Sequence, residues 1–292
     1  MRNYLIEFFK DFEYNIEDAQ VLLNTYDNII DCAPANELLC DVLIDYNADM
    51  NLNCHEQILT RARNIAKIIN AHPYTTELLV FICMTKHLKD LYVEHNIDLQ
   101  IYHDSVLDLK WKIQECRVVR GICGSFVGNW FYEFFNLQRF ALGRLQFEII
   151  DSPIDYDKNG IILNKGQTKV INVHIPRTLT PIDKDSCDKS YEQAKAFFRE
   201  LFTGKTVFVC SSWLLYPINL DIFPDYTNTH RFISEYDIVY SNENNGEDLW
   251  RLFDTDEKHP DRLPQNGTLR RCYVEHMKKG GRVGWGLGVK IL

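Results

Sequence analysis

One histidine lies where the sequence could support acid–base chemistry. His174 comes near the end of the apolar segment VINVHI and is followed by Pro176 and a long polar loop. Ligands of α/β sheets bind beyond the carboxyl ends of the strands, and an imidazole titrates near neutral pH. His174 is therefore a candidate general base. The alternative is a structural histidine, whose replacement would cost roughly 1–3 kcal/mol through a lost buried hydrogen bond.

Two adjacent serines form the second candidate feature. Ser211 and Ser212 interrupt the apolar segment TVFVCSSWLL, whose composition predicts a strand buried on both faces. A buried hydroxyl needs a partner, either a backbone group or a ligand. If this strand runs parallel beside that of His174, we predict a pocket that holds His174 and one of the serines, with residues 176–190 at its rim. Neither serine lies in Gly-x-Ser-x-Gly, so a hydrolase nucleophile is not supported.

A cysteine at a predicted helix start is a further nucleophile candidate. Cys187 lies in the first turn of the amphipathic segment 186–202, with Asp185 as the predicted N-cap. The helix dipole favours a thiolate at such a position. The alternative is an ordinary apolar anchor that packs the helix onto the sheet.

The elements before residue 110 follow helical spacing of apolar residues. The pattern predicts helices over 15–30, 36–46, 55–71 and 77–95, with Pro34 and Pro73 acting as stops. The aromatic-rich segment FVGNWFYEFFNLQRF follows, and it has two interpretations. It either fills a core between layers or lines a channel for an acyl chain.

The hydrophobic period changes from helical to strand-like after residue 139. Side chains 145, 147 and 149 are apolar, whereas Arg144, Gln146 and Glu148 alternate with them, which predicts a solvated or cross-strand ion pair. A hairpin is expected between IIL and VINVHI. The order strand, helix, strand over residues 169–215 predicts a right-handed crossover between parallel strands, and a later strand is expected at about 229–240.

The chain ends in an alternating glycine pattern. Gly284, Gly286 and Gly288 occupy one face of the predicted strand GRVGWGLGVKIL. Glycine on a strand face permits close approach of another backbone or of a ligand. No helix follows these glycines, so they are not typical of a nucleotide-binding loop.

Composition narrows the class of protein. Residues 1–50 carry eleven Asp and Glu against Arg2 and Lys10, which accounts for the net charge of −9. The remainder is balanced and offers no basic field for nucleic acid, while the acidic segment could meet a basic protein partner. The chain has no apolar run of transmembrane length, and its nine cysteines are scattered without metal-ligand spacing. We therefore expect a cytoplasmic protein without a membrane segment or a bound metal.

Four segments together resemble a two-part bacterial family. They are RFALGRLQFEI (139–149), NVHIP (172–176), SYEQAKAFF (190–198) and VCSSWLL (209–215). The family joins an N-acyltransferase N-terminal domain to a GNAT-like C-terminal domain. The resemblance implies an α+β protein with a helical N-terminal domain over 1–125 and a mixed α/β domain with a central sheet over 126–292.

The resemblance also implies direct acyl transfer from acyl-CoA to an amine. In the GNAT pattern the acyl donor enters between two splayed parallel strands, and the following helix N-terminus holds the pyrophosphate. This assigns Arg177, Lys184, Ser186 and Lys189 to the donor site, with a small-molecule amine as acceptor. The segment 176–187 has no glycine, unlike the GNAT pyrophosphate loop. A non-catalytic binding protein on a degenerate GNAT scaffold is therefore the alternative.

Overall fold

In a computed structural model, which describes residues 1–48, 55–158, 160–202 and 204–292, the chain forms two compact units. The first comprises Met1–Phe140 and the second Ala141–Leu292. The aromatic segment after residue 125, which the sequence-based division assigned to the C-terminal domain, lies in the first unit. No helix in the described part of the chain is long and apolar enough to cross a membrane.

The first unit is helical, as the sequence predicts. Several helices begin at a side-chain cap, for example Asn15, whose amide oxygen accepts from the backbone N–H of Asp18 at 2.7 Å. The helices are α1 Arg2–Asp11, α2 Ile16–Ile30, α3 Ala33–Ala48, α4 His55–Ile68, α5 Pro73–Glu94, α6 Leu99–Arg120 and α7 Tyr132–Phe135.

The two prolines predicted as stops follow the ends of α2 and α4, and each also lies in the first turn of the next helix. Pro34 is the second residue of α3 and Pro73 is the first residue of α5. The N–H groups of the first helical turn have no intrahelical partner, so a proline loses nothing there. The same residues that end one helical pattern therefore start the next helix.

The core of the first unit is built around α5. Every residue from Thr75 to Thr85 of this helix is buried, so the helix is surrounded by protein over that stretch. Phe81 contacts three rings of the aromatic segment, those of Phe131, Tyr132 and Phe135, with ring centroids 5.1 to 5.6 Å apart. These aromatic residues fill a core, which is the first of the two interpretations of this segment.

The second unit is a mixed six-stranded sheet with helices, which confirms the predicted α+β class. The strand order is β1-β2-β5-β6-β8-β7, and β3 and β4 form a separate hairpin. The strands are β1 Arg139–Leu142, β2 Leu145–Asp151, β3 Tyr156–Lys158, β4 Ile161–Leu163, β5 Lys169–His174, β6 Val207–Ser212, β7 Asp237–Asn244 and β8 Val283–Ile291. The helices are α8 Lys184–Phe197, α9 Asn219–Ile222, α10 Asn228–Ser234, α11 Leu249–Phe253 and α12 Thr268–Lys278.

Two local predictions in this unit were wrong. β4 pairs with β3 rather than with β5, because β5 is antiparallel to the sequence-distant β2. The segment expected as one strand over 229–240 divides into α10 and β7. Thr227 explains this division, since its hydroxyl oxygen accepts from the backbone N–H of His230 at 3.1 Å and caps a helix there.

The predicted parallel crossover is present as β5, α8 and β6. The two strands pair in parallel at Ile171↔Phe208 and Asn172↔Val209. Tyr191 of α8 packs between Phe147 and Phe208 on one face of the sheet. That face is therefore filled by α8.

The opposite face of the sheet carries a second core. Tyr156 and Leu163 of the β3–β4 hairpin pack there against valines of β5, β6 and β8. The valines are Val170, Val207, Val209 and Val289. The hairpin covers the part of this face that contains these valines, and the carboxyl ends of β5 and β6 lie beyond them.

The alternating glycines of β8 accommodate protein backbone. An ideal Cβ on Gly286 would lie 2.0 Å from the carbonyl oxygen of Leu215, in the 3-10 turn Trp213–Leu215 that follows β6. A Cβ on Gly284 would lie 2.2 Å from the carbonyl oxygen of Asn242. The close approach is thus made by backbone, which is one of the two alternatives that the sequence left open.

Candidate active site

Three polar side chains meet across two neighbouring strands at the end of β5. His174 Nε2 lies 2.8 Å from Glu148 Oε1, and the side-chain amide of Asn172 donates to the same oxygen at 2.8 Å. The Asn172 nitrogen is also 3.2 Å from His174 Nε2. The antiparallel register brings them together, because Glu148 lies opposite Asn172, and Gln146 lies opposite His174. Residues i and i+2 of β5 therefore share one carboxylate.

The environment of this trio suits proton transfer. The side chain of Glu148 is 10% exposed and that of His174 is 19% exposed. A carboxylate so poorly hydrated needs hydrogen-bond partners, and Asn172 and His174 provide them. A carboxylate bonded to an imidazole fixes the orientation of the ring and stabilises its protonated form. The trio can therefore accept a proton and hold the resulting charge.

Glu148 is the residue that sequence reasoning did not assign to the site. Its alternation with apolar residues placed it on one face of β2 and predicted a cross-strand ion pair. The structure pairs it with His174. The alternation of residues in the sequence indicates which face of β2 carries Glu148. It does not indicate which strand pairs with β2 or in what register, so the neighbourhood of β2 and β5 could not be predicted.

The two serines have different environments. Ser211 is exposed and lies on the same sheet face as His174, because β5 and β6 are parallel with Asn172 beside Val209. Ser212 Oγ accepts from the backbone N–H of Leu214 at 3.1 Å and so caps the following 3-10 turn. The expectation that both hydroxyls are buried was wrong, because β6 is buried on both faces only as far as Cys210.

The ladder between β5 and β6 ends before either strand does. Within the described part of the chain its pairs are Ile171↔Phe208 and Asn172↔Val209, whereas β5 continues to His174 and β6 to Ser212. The other edge of each strand remains paired, with His174 opposite Gln146 and Ser211 opposite Leu287. Beyond Asn172 and Val209, the facing edges of β5 and β6 are therefore not joined by this ladder.

An arginine holds the loop that follows β5. Arg144 donates from Nε to the carbonyl oxygens of Thr180 at 2.9 Å and Pro181 at 3.2 Å, and from Nη1 to that of Pro176 at 3.1 Å. Burial lowers the pKa of its guanidinium. The prediction of a solvated or ion-paired Arg144 was wrong, because its partners are three backbone carbonyls.

Two further arginines fix the same loop. Arg177 forms an ion pair with Asp254, which also pairs with Arg270 at 2.5 Å. Arg231 donates to the carbonyl oxygen of Ile182 at 2.8 Å. The loop over residues 176–182 is thus held by Arg144, by Arg231 and by the ion pair of its own Arg177.

A carboxylate caps the N-terminus of α8. Asp183 is the N-cap, rather than the predicted Asp185, and its carboxylate accepts from the backbone N–H of Ser186 at 3.0 Å and from the Ser186 hydroxyl at 2.7 Å. These hydrogen bonds hold the pKa of Asp183 below its ordinary value. Lys184 pairs with Asp188 one turn later, and Lys189 is exposed.

Cys187 does not have the environment of a nucleophile. Its side chain is fully buried, and burial raises the pKa of the thiol. Its position in the first turn of α8 predicted the opposite direction. The thiol faces the packed side of the helix, so desolvation outweighs the helix dipole, and the apolar-anchor interpretation holds.

Alkylation should separate the cysteines by burial. With iodoacetamide at pH 8, we expect Cys40, which is exposed, to react at least tenfold faster than Cys187, because the buried thiol remains protonated. Peptide mass spectrometry at timed intervals gives both rates, and a sample in denaturant provides the control with equal access. Similar rates for the two thiols in the folded protein would show that Cys187 is accessible and ionised. Cys54 lies outside the described residues.

The acidic segment 1–50 is partly neutralised within the first unit. Asp27 pairs with Arg2 at 2.7 Å, and the buried Asp18 pairs with Arg117 of α6. Asp45 pairs with Arg61 at 2.5 Å. The charge available to a basic partner is therefore smaller than the sequence count indicates.

Family models match both halves of the chain. Residues 3–137 match the model of an N-acyltransferase N-terminal domain, and residues 139–290 match that of a GNAT-like C-terminal domain. No curated protein matches the sequence significantly.

Solved structures share the fold over nearly the whole chain. A crystal structure of an acyltransferase in complex with decanoyl-CoA and teicoplanin has a TM-score of 0.73 and 19% identity, over 98% of this chain and 87% of that chain. A structure of an acyltransferase in complex with decanoyl-CoA has a TM-score of 0.72 and 20% identity, over 97% and 86% of the two chains.

Proposed function

Because the chain belongs to the family that joins an N-acyltransferase N-terminal domain to a GNAT-like C-terminal domain, we propose that it is an acyl-CoA-dependent N-acyltransferase. The observation that carries the proposal is the His174–Glu148 pair at the end of β5, where the ladder to β6 has ended. Neighbours of the same fold are acyltransferases that were crystallised with decanoyl-CoA, which supports this class of donor.

The proposed reaction is direct transfer between donor and amine. The neutral amine attacks the thioester carbonyl, a C–N bond forms, and the C–S bond breaks. His174 accepts the proton that the nitrogen loses and returns it, directly or through solvent, to the departing thiolate, which leaves as free coenzyme A thiol. Glu148 holds the imidazole in place and stabilises its protonated form, while Asn172 orients the carboxylate. No covalent acyl-enzyme intermediate is required, which agrees with the buried state of Cys187.

The gap beyond Asn172 and Val209 is the proposed location of the donor thioester. Amide groups of the pantetheine arm can pair with the backbone groups of β5 and β6 that face the gap, as a strand would. A backbone N–H in the same gap can donate to the carbonyl oxygen as negative charge develops on it. Ser211, at the exposed end of β6, lies at the mouth of this gap.

The donor phosphates need cations near the loop over 176–183. Lys184 and Lys189 lie in the first turns of α8 and are both exposed, so we assign them to direct phosphate contact, for which Lys184 would leave its exposed ion pair with Asp188. Arg177 and Ser186 are only partly exposed and bond to Asp254 and Asp183, and we assign them to holding the phosphate-facing backbone. Arg177 and Ser186 can also exchange Asp254 and Asp183 for a phosphate oxygen when the donor binds.

One observation favours a second candidate function. Asp183 places a carboxylate at the N-terminus of α8, where a GNAT protein places the pyrophosphate. A non-catalytic protein that binds another ligand, or that binds a basic partner through residues 1–50, would not place a phosphate at this helix start. The Asp183 carboxylate would then repel no ligand. The trio of Glu148, Asn172 and His174 favours catalysis, so this candidate ranks second.

Calorimetry with acyl-CoA thioesters tests the donor assignment. We expect acetyl-, octanoyl- or decanoyl-CoA to bind with a Kd in the micromolar range, which corresponds to about 8 kcal/mol. The double variant Lys184→Ala, Lys189→Ala should weaken binding by about a hundredfold or more, since charged hydrogen bonds contribute roughly 1.5–3 kcal/mol each. The exposed Lys165, in the connection between β4 and β5, provides the matched control Lys165→Ala.

Uniform absence of binding by every thioester would contradict the donor assignment. Binding without thiol release in the presence of any amine would instead support the non-catalytic candidate. Thiol release is followed with a chromogenic disulfide reagent, and the cysteines of the protein are corrected for with a donor-free sample.

A further inference from the structure

Two arginines share one carboxylate beside the loop that follows β5. Arg177 of that loop pairs with Asp254 Oδ1, and Arg270 of α12 donates to Asp254 Oδ2 at 2.5 Å. The side chains of Asp254 and Arg270 are 19% and 17% exposed, whereas that of Arg177 is 38% exposed. Within these three side chains, two positive charges meet one negative charge, so one positive charge is left over.

Arg270 is the fixed member of this trio. Its Nε donates to the carbonyl oxygen of Leu252 at 2.7 Å, and its Nη1 donates to the side-chain oxygen of Asn266 at 2.6 Å. All three nitrogens of this guanidinium therefore have a partner on the protein. If Arg177 leaves, the Asp254 carboxylate keeps Arg270, so it does not become an uncompensated buried charge.

Arg177 is the exchangeable member. Among the described residues, its side chain forms one hydrogen bond, from Nη1 to Asp254. A guanidinium carries five N–H donors in a fork that matches the oxygens of a phosphate. Arg177 is also the only charged residue in the loop over 176–182. It therefore has donors available for an anion at this loop.

The backbone fixes the position of the Asp254 carboxylate. Asp254 follows α11 in the left-handed conformation, with φ 61° and ψ 29°, and its N–H donates to the carbonyl oxygen of Trp250 at 2.9 Å. Asparagine, like aspartate, is favoured in this conformation. Asp254→Asn therefore preserves the backbone and removes the charge.

We propose that Asp254 is an internal competitor of the acyl donor for Arg177. In the free chain the carboxylate occupies the guanidinium. When the donor binds, Arg177 turns to a phosphate oxygen, and Arg270 retains Asp254. This inference rests on the proposed function, because it requires a phosphate-bearing donor at the loop after β5. A competitor weakens donor binding, whereas a residue that orients Arg177 for the donor would strengthen it.

The sign of the effect of Asp254→Asn tests the inference. Calorimetry compares octanoyl-CoA with S-octanoyl-pantetheine, which has the same thioester and pantetheine arm but no phosphate. Arg177→Gln and the double variant Asp254→Asn, Arg177→Gln complete a double-mutant cycle. Asp248→Asn is the matched control, because Asp248 pairs at 3.0 Å with Arg251, an arginine outside the loop.

We expect Asp254→Asn to lower the Kd for octanoyl-CoA about three- to tenfold, because binding no longer has to break the ion pair. In the Arg177→Gln background, the same substitution should change this Kd by less than about twofold, since the competition acts through Arg177. Octanoyl-pantetheine should bind Asp254→Asn as it binds the wild type, and Asp248→Asn should bind both donors as the wild type does. The cycle with octanoyl-CoA decides by itself if the phosphate-free thioester binds too weakly to titrate.

An unchanged or higher Kd for octanoyl-CoA in Asp254→Asn would overturn the inference. An equal gain in affinity in the Arg177→Gln background would also overturn it, because the effect would then not act through Arg177. In both cases, binding of octanoyl-CoA and thiol release by the wild type would leave the proposed function intact. Absence of octanoyl-CoA binding by the wild type and by Asp254→Asn would contradict both.

A crystal structure of the wild type with octanoyl-CoA tests the inference without a variant. We expect Arg177 to donate to a phosphate oxygen and Asp254 to remain paired with Arg270 alone. An intact pair of Arg177 and Asp254 beside the bound donor would overturn the inference, even if Asp254→Asn failed to fold.

Discussion

Replacement of His174 by glutamine is expected to lower kcat/KM for acyl transfer by about 10²–10⁴-fold, the usual contribution of a positioned general base. Glutamine retains a donor for Glu148 Oε1, so the buried carboxylate keeps a partner. The thermal midpoint should therefore change by only a few degrees. The Kd for octanoyl-CoA should stay within about twofold of the wild-type value, because His174 acts on the amine.

The pH profile separates a base from a structural histidine. In the wild type, kcat/KM should rise with pH as the imidazole loses its proton, since only the neutral ring accepts one. The acceptor amine titrates equally in both proteins, so the ratio of wild type to His174→Gln isolates the imidazole. We expect this ratio to rise with pH and then level off.

Glu148→Gln provides a graded comparison. It preserves the hydrogen-bonded geometry but removes the charge that stabilises the protonated ring, so the loss should be smaller than that of His174→Gln. A His174→Gln protein that retains a third or more of the wild-type kcat/KM, with a flat ratio across pH, would show that His174 is structural. In that case the cost would appear in stability, at roughly 1–3 kcal/mol.

The second large effect is expected at Gly286. A Cβ at this position would lie 2.0 Å from the carbonyl oxygen and 2.6 Å from the carbonyl carbon of Leu215, both of which are backbone atoms. The contact cannot be relieved by a side-chain rotation, so β8 or the 3-10 turn after β6 must move. We expect Gly286→Ala to lower the free energy of unfolding by more than about 3 kcal/mol, measured by urea denaturation.

Gly166 provides the matched control. Its φ is +71°, and an ideal Cβ there meets no atom within 4 Å. Gly166→Ala therefore measures backbone strain without a steric clash, for which we expect about 1–2 kcal/mol. A Gly286→Ala protein no less stable than Gly166→Ala would show that the turn after β6 can separate from β8. If Gly286→Ala fails to fold while Gly166→Ala folds, the result agrees with the prediction that Gly286→Ala is the more destabilising of the two.

At the end of β5, local sequence signals determined the positions of the strand and of His174. The residues VINVHI followed by Pro176 were enough to place His174 at the carboxyl end of a strand, because alternation, a proline and a polar loop are local signals. The order strand, helix, strand was enough to predict that β5 and β6 are parallel, because such crossovers have one favoured hand. Hydrophobic periodicity likewise predicted the helical first unit and the sheet of the second.

The partners of those residues were decided by the tertiary structure. Glu148 joins His174 because β2 is the antiparallel neighbour of β5, and no local signal specifies which strands are neighbours or in what register. Arg144 of the β1–β2 turn and Arg231 of α10 hold the loop after β5, and Arg177 of the loop pairs with Asp254, so these roles cannot be read from spacing. Cys187 has the helix position of a reactive thiol, yet the side of α8 on which it lies faces the core, and desolvation raises its pKa. Sequence patterns thus determined the helices and strands and their polar faces. Long-range packing determined which polar groups form hydrogen bonds or ion pairs with one another, and which of them are buried.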